Sequence, residues 1–174
     1  MGSDIRRPRL AEVFNINPKA EGITSYLCAD EKDVNMLDNF IIPSSEVHNL
    51  YLLPAGIVPP NPAELLAKSN LDVALNYLSK KFDYVIMDTA PVGLVSDSII
   101  LSRVADAVVY VSRVDYTEKS AFEFLNTLVA DGKLENVSYV VNGDDINKRK
   151  RTYGYVNNYA AGYSSYADGY APEN

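Results

Sequence analysis

The sequence is poor in cysteine, in long apolar runs and in positive charge, and each shortage excludes a class of protein. Its single cysteine, Cys28, permits no disulfide within the chain and favours a reducing compartment. No apolar run approaches the roughly 20 residues that a membrane-spanning helix needs, and no signal-peptide core is present. The formal charge of −7 argues against nucleic acid as a partner. The 174 residues therefore predict one domain and a tail, without a membrane span.

Between residues 50 and 142, short apolar runs alternate with helical patterns, which is typical of βαβ units and a mostly parallel sheet. The runs at 84–88 and 106–112 are nearly continuous, as expected for strands buried on both faces. Helical patterns begin at Asn61 and cover about 71–78, 96–104 and 118–130. The sequence thus predicts an α/β domain over residues 4–146, with strands LYLL (50–53), YVIMD (84–88), DAVVYVS (106–112) and VSYVVN (137–142).

The segment 147–174 has no such periodicity and combines a basic run, KRKR, with closely spaced tyrosines. Its few aliphatic side chains cannot offset the entropy lost on ordering the backbone, so we expect a flexible tail. The tail suits a substrate for modification, although it also suits a segment that self-associates through aromatic contacts. Six of its tyrosines are candidate phosphorylation sites: Tyr153, Tyr155, Tyr159, Tyr163, Tyr166 and Tyr170.

Two acidic residues lie where an α/β sheet binds ligands. Asp88 ends the apolar run YVIMD, and Asp4 opens DIRRPR, which reads as a turn from strand to helix. Ligands of open parallel sheets bind at the carboxyl ends of the strands. An apolar strand that ends in Asp is the Walker B pattern, whose carboxylate holds Mg²⁺ beside nucleotide phosphates. By itself, an Asp that ends a strand is more often a turn or helix-cap residue, and DIRRPR is also compatible with a solvated start of a helix.

Taken together and in this order, DIRRP, PPNPAELL, YVIMD, DTAPVGLVSDS and the tyrosine-rich tail resemble one family. It is the cytoplasmic domain of the bacterial protein-tyrosine kinases of the polysaccharide co-polymerase system, and the resemblance covers about residues 4–170. It implies a deviant-Walker, P-loop NTPase-like three-layer fold, ATP and Mg²⁺ as cofactors, and autophosphorylation of the tyrosine cluster. DIRRP resembles the second half of the Walker A′ motif.

The same resemblance implies roles for four residues. Asp4 and Asp88 are the implied catalytic and metal-binding residues, and Arg6 and Asn142 the implied nucleotide-binding residues. Asn142 would lie where related ATPases contact adenine, although a turn residue at the end of a strand is an equally good interpretation.

Two departures from the family pattern affect the expected activity. Gly2 stands where the first aspartate of Walker A′ belongs, and the sequence contains no G-x-x-x-x-G-K-[ST] loop. That loop supplies the backbone N–H groups and the lysine that hold the phosphates. We expect that Met-Gly-Ser is an expression scar, that the chain is part of a longer protein, and that this part alone is inactive.

The resemblance further implies regulation of exopolysaccharide or capsule export from the cytoplasmic side of the inner membrane. The implied partners are neighbouring subunits in a ring, a membrane co-polymerase or activator segment and a protein-tyrosine phosphatase. Two alternatives stay open. A ParA/MinD-like ATPase would share Asp88 but has no use for the tyrosine-rich tail, and a non-catalytic adaptor would act only through that tail.

Overall fold

The computed structural model describes residues 1–17, 20–29 and 33–143. The tail predicted over 147–174, its tyrosines and its basic run lie outside these residues, so the domain boundary near residue 146 stays a prediction. Within the described ranges, the elements are α1 (Leu10–Val13), α2 (Ile23–Cys28), a 3₁₀ turn (Val34–Met36), α3 (Leu37–Phe40), β1 (Ile42–Pro43), β2 (Tyr51–Leu52), α4 (Pro62–Ala67), α5 (Ser69–Lys81), α6 (Asp97–Ser102), β3 (Val108–Arg113), α7 (Lys119–Ala130) and β4 (Val137–Asn142).

The chain divides into two compact units, residues 1–104 and residues from 105 onward. In the first unit, α4 begins as the sequence predicts, with Asn61 at the N-cap and its side chain donating to Glu64 at 2.9 Å. Helix α5 turns its predicted apolar stripe inward. The core gathers buried apolar side chains from most elements of the unit, among them Ile5, Ile23, Tyr26, Leu27, Leu37, Leu53, Leu65, Leu66, Leu71, Leu78 and Leu101.

The second unit is a βαβ crossover of the predicted kind. Strands β3 and β4 pair in parallel from Val108↔Val137 to Arg113↔Asn142, and α7 connects them. On one face of the pair, Phe122 of α7 stacks on Tyr139 of β4 with ring centroids 5.9 Å apart. The helix and both strands are therefore held by aromatic contacts as well as by the backbone ladder.

The structure corrects two strand predictions. Residues 84–88 form only a single parallel bridge, between Gly2 and Asp88, and Tyr84 and Ile86 are 88% and 77% exposed. β3 is likewise covered on one face only, because its burial alternates along the strand. β2, which covers residues 51–52 of the predicted strand 50–53, pairs antiparallel with β1, whereas β3 and β4 are parallel. A strand with apolar residues on both faces is expected to be covered by other elements on both faces, and the described residues cover one face.

Helix α2 begins in direct contact with the backbone of residues 54–56. The N–H of Ile23 donates to the carbonyl of Pro54 at 3.0 Å, which satisfies a donor that has no partner within the helix. A side chain on Gly22 would put Cβ 2.2 Å from that same carbonyl oxygen. The close approach of α2 to this loop therefore requires a residue without Cβ.

We predict that Gly22→Ala lowers the free energy of unfolding by about 3 kcal/mol, since the added methyl group has only rigid backbone to displace. Gly93→Ala is the matched control, because no atom lies within 4 Å of the Cβ that it adds, and its effect should stay within about 0.5 kcal/mol. Urea denaturation followed by circular dichroism measures both. Equal stability of the two variants would contradict the packing described for α2.

Candidate active site

The backbone of residues 1–4 lies beside the segment that ends in Asp88. The carbonyl of Asp88 accepts hydrogen bonds from the N–H groups of Ser3 and Asp4 at 2.7 and 2.8 Å. Gly2 and Asp88 form a parallel bridge, so the two segments run in the same direction. Each segment carries an aspartate at its carboxyl end. The sequence predicted a strand end at both positions, and the structure gives one parallel bridge there and no regular strand.

Asp4 is buried, with 5% of its surface exposed, and its carboxylate is oriented by its own chain. Oδ1 accepts hydrogen bonds from the backbone N–H groups of Arg6 and Arg7, at 3.2 and 2.9 Å. Such a side-chain-to-backbone turn is a common use of aspartate. Ile5, the next residue, is fully buried in the core. The Asp4 carboxylate is therefore held by the turn that follows it.

Arg6 makes a two-pronged ion pair with Asp97, the first residue of α6. Nε donates to Oδ2 at 2.7 Å and Nη2 donates to Oδ1 at 3.0 Å. The Asp97 side chain is 1% exposed and the Arg6 side chain 26%. Sequence reasoning missed Asp97, because an acidic residue at the start of a helix is ordinary and its partner lies 91 positions away. Nucleotide binding by Arg6 stays a prediction.

The pKa of the Asp88 carboxyl is raised above its ordinary value. Partial burial of the carboxyl is the largest cause, although the residue as a whole is exposed. The negative charge of Asp4 is the second cause, while the Met1 ammonium acts in the opposite direction. A bound cation would relieve the repulsion between two carboxylates of this kind. The structure thus gives Asp4 and Asp88 a shared electrostatic environment.

The donor set suits magnesium. Within the described ranges, no cluster of three or more histidine, cysteine, aspartate or glutamate side chains could hold a metal ion. Mg²⁺ is usually bound by only one or two protein carboxylates, because waters and substrate phosphates complete its octahedron. The neighbouring carboxylates of Asp4 and Asp88 therefore fit Mg²⁺ that arrives with a phosphate-bearing substrate, and they do not fit a cage built from protein alone.

The remaining predicted site residues are Asn142 and the six tail tyrosines. Asn142 ends β4 in the second unit, and its Oδ1 accepts a hydrogen bond from the N–H of Gly143 at 2.7 Å. The six candidate phosphorylation sites lie outside the described residues. A pocket of about 350 Å³ in the first unit is lined by residues 14–17, Ala20 and residues of the segment 42–52. Neither Asp4 nor Asp88 lines it, so the candidate site formed by these two aspartates is separate from this pocket.

The comparisons with known proteins agree on one family. The chain is 30% identical over 158 residues to tyrosine-protein kinase CpsD of Streptococcus pneumoniae, which covers 90% of this chain and 67% of the relative. It is 29% identical over 159 residues to tyrosine-protein kinase CpsD of Streptococcus agalactiae, which covers 90% and 66%. The chain thus spans about two thirds of the length of these relatives. No family model matches the sequence.

The solved structures agree with the curated relatives. The kinase domain of VpsO superimposes on the chain with a TM-score of 0.72 at 27% identity, over 83% of this chain and 68% of that domain. The likeness confirms the α/β, P-loop NTPase-like fold that the sequence predicted. Relatives of this kind use nucleotides. Among the described residues, no helix combines the length and the apolar character that crossing a membrane requires.

We predict that Asp88→Asn removes a pH-dependent loss of stability. A carboxyl whose pKa is raised in the folded state binds its proton more tightly there, so it stabilises the fold at low pH. That stability is lost as pH rises from the ordinary pKa of 3.8 through the raised value. The melting temperature of the variant minus that of the wild type should therefore be larger at pH 7 than at pH 3.

Differential scanning fluorimetry across this range tests the prediction. Asp83→Asn is the control, because Asp83 lies on the same segment but is not among the groups that shift the pKa of Asp88. A stability difference between Asp88→Asn and the wild type that falls with rising pH would contradict the electrostatic description of the acidic pair.

Proposed function

The chain belongs to the family of bacterial tyrosine-protein kinases, and we propose that the whole protein transfers the γ-phosphoryl group of ATP to tyrosines of its own C-terminal segment. The observation that carries this proposal is the position of Asp4 and Asp88 side by side at the ends of two parallel segments. The proposed acceptors are the six tyrosines of the tail. A kinase explains both the acidic pair and the tail.

In this proposal, both carboxylates serve the metal and the reacting atoms. Asp88 contacts the Mg²⁺ of Mg·ATP or one of its waters, and Asp4 completes the acidic face. Bound Mg²⁺ supplies neutralisation of the phosphate charge. Asp4 also orients the attacking phenol or accepts its proton, because tyrosine, with a pKa near 10, offers little phenolate at neutral pH. The buried, backbone-held carboxylate of Asp4 supports this role, since phosphoryl transfer depends mainly on positioning.

We also propose nucleotide contacts for Arg6 and Asn142. Asn142 ends a parallel strand, and strand ends of this kind commonly face ligands. Arg6 already binds Asp97 through Nε and Nη2, so a phosphate contact would have to involve the rest of its guanidinium group. The support for Asn142 is therefore its position, and the support for Arg6 is its place beside Asp4.

The phosphate-binding loop belongs, in our proposal, to a part of the whole protein that this sequence does not contain. The sequence has no G-x-x-x-x-G-K-[ST], and we expect no phosphoryl transfer by this chain alone. An open strand edge supports the proposal. The backbone groups of Val85 and Met87 make no hydrogen bond to another described residue, and Tyr84 and Ile86 are exposed beside them. A further parallel strand would satisfy this edge.

Phosphorylation would change the charge of the tail strongly. Each phosphate adds about −1.5 to −2 charge at pH 7, and the basic run at 148–151 lies just before the tyrosines. Several phosphates would pair with that run or repel a neighbouring acidic surface. We propose that subunits phosphorylate each other in a ring and that the added charge separates them.

The biological setting follows from the family and is likewise a proposal. The whole protein would regulate exopolysaccharide or capsule export from the cytoplasmic side of the inner membrane. Its partners would be other subunits, a membrane co-polymerase or activator segment and a protein-tyrosine phosphatase. The charge of −7 supports the expectation that nucleic acid is not a partner.

Intact-mass analysis of the whole protein with Mg·ATP tests the proposal. We expect increments of about 80 Da for each phosphate, located by peptide mapping within residues 153–170. Asp88→Asn should reduce incorporation by about 100-fold or more, the scale found when one preorganised electrostatic group is lost. Asp83→Asn, on the same segment but outside the acidic pair, should incorporate phosphate like the wild type.

The alternatives predict other results. ATP hydrolysis with an unmodified tail would reject the autokinase and favour a ParA/MinD-like ATPase. Absence of both hydrolysis and phosphate would favour an adaptor that acts through its tail.

A further inference from the structure

The loops that follow Asp4 and Asp88 are joined by one side-chain contact. Arg6 lies two residues after Asp4, and Asp97 lies nine residues after Asp88. The Arg6 guanidinium and the Asp97 carboxylate form two parallel hydrogen bonds of 2.7 and 3.0 Å. Paired bonds of this kind fix the angle between the groups as well as their distance. The ion pair thus connects the two loops at a second point, beyond the backbone bonds between residues 1–4 and Asp88.

The Arg6 end of this contact acts directly on Asp4. The N–H of Arg6 donates to Asp4 Oδ1 at 3.2 Å, and the N–H of Arg7 donates to the same oxygen at 2.9 Å. A rotation of the Arg6 backbone would move both donors relative to the carboxylate. Because the guanidinium of Arg6 is held by Asp97, the ion pair opposes such a rotation.

The Asp97 end is anchored in the first unit. Asp97 is the first residue of α6 and is fully buried, and Leu101 of the same helix lies in the core. The hydroxyl of Ser98 donates to the carbonyl of Ala90, within the loop that follows Asp88. The position of Asp97 is thus set by the helix and the loop together, so it provides a fixed support for Arg6.

We propose that Asp97 is a positioning residue for the candidate metal site: through Arg6 it holds the turn that orients the Asp4 carboxylate toward the cation. This inference rests on the proposed function for the identity of the cation, but the effect on the Asp4 turn does not. Residues that orient a metal ligand from behind typically contribute about 10- to 100-fold to metal affinity or activity. A purely stabilising ion pair would leave the Asp4 turn unchanged as long as the chain stays folded.

Amide hydrogen exchange of the 174-residue chain, followed by NMR, tests the positioning role without nucleotide or metal. In Asp97→Asn, we expect the amides of Arg6 and Arg7 to exchange about 10-fold faster, since their acceptor is no longer held in place. Asp72→Asn is the matched control, because it breaks the ion pair with Arg103 at the other end of α6. In that control, the two amides should keep wild-type exchange rates.

A second variant covers the case in which Asp97→Asn fails to fold. Arg6→Lys keeps the positive charge beside Asp97 but loses the two-pronged geometry. We expect the Arg7 amide to exchange faster than in the wild type, but by a smaller factor than in Asp97→Asn. Unchanged exchange at Arg6 and Arg7 in the folded Asp97→Asn variant, or at Arg7 in Arg6→Lys, would overturn the proposal. Equal acceleration in the Asp72→Asn control would also overturn it, because the effect would then be general loosening.

The whole protein provides a second readout. The Mg²⁺ concentration that gives half-maximal autophosphorylation should rise about 10-fold or more in Asp97→Asn and stay unchanged in Asp72→Asn. A wild type that incorporates no phosphate at any Mg²⁺ concentration would reject the proposed function but leave the exchange result standing. An active wild type with the same Mg²⁺ dependence in both variants would reject the role of Asp97.

Discussion

The parallel hydrogen bonds between residues 1–4 and Asp88 are the constraint on which the rest of the site depends. They place two aspartates, which lie 84 positions apart in the sequence, at the neighbouring ends of two segments. Parallel pairing matters here because the carboxyl ends of both segments then lie on the same side. The raised pKa of Asp88, caused by burial and then by Asp4, follows from this closeness, as does the suitability of the pair for Mg²⁺.

The ion pair between Arg6 and Asp97 extends the same arrangement to the two following loops. Removing a buried ion pair from water consumes most of the attraction that the charges gain, so the pair is weak evidence for added stability. Its geometry is more informative, because two parallel bonds fix an orientation. The ion pair therefore connects α6 to the turn that holds the Asp4 carboxylate.

Sequence patterns predicted the parts of this structure that depend on neighbours along the chain. The apolar stripe of α5 and the βαβ crossover of β3, α7 and β4 follow from local periodicity. The strand at 84–88 was predicted as buried on both faces, yet Tyr84 and Ile86 are exposed. Its composition indicates two neighbouring layers, and the described residues provide one. The contact with Asp97 was not predictable, because no local pattern links residues so far apart.

Phosphoryl transfer between copies tests the central claim most directly. The whole protein, with phenylalanine in place of its six tail tyrosines, would be incubated with Mg·ATP and the 174-residue chain. The added chain would then be the only source of tail tyrosines. We predict that phosphate appears on the added chain between residues 153 and 170 and that Asp88→Asn in the enzyme copy abolishes it. An enzyme copy that hydrolyses ATP while the added chain stays unmodified would contradict the claim that the tail is the acceptor.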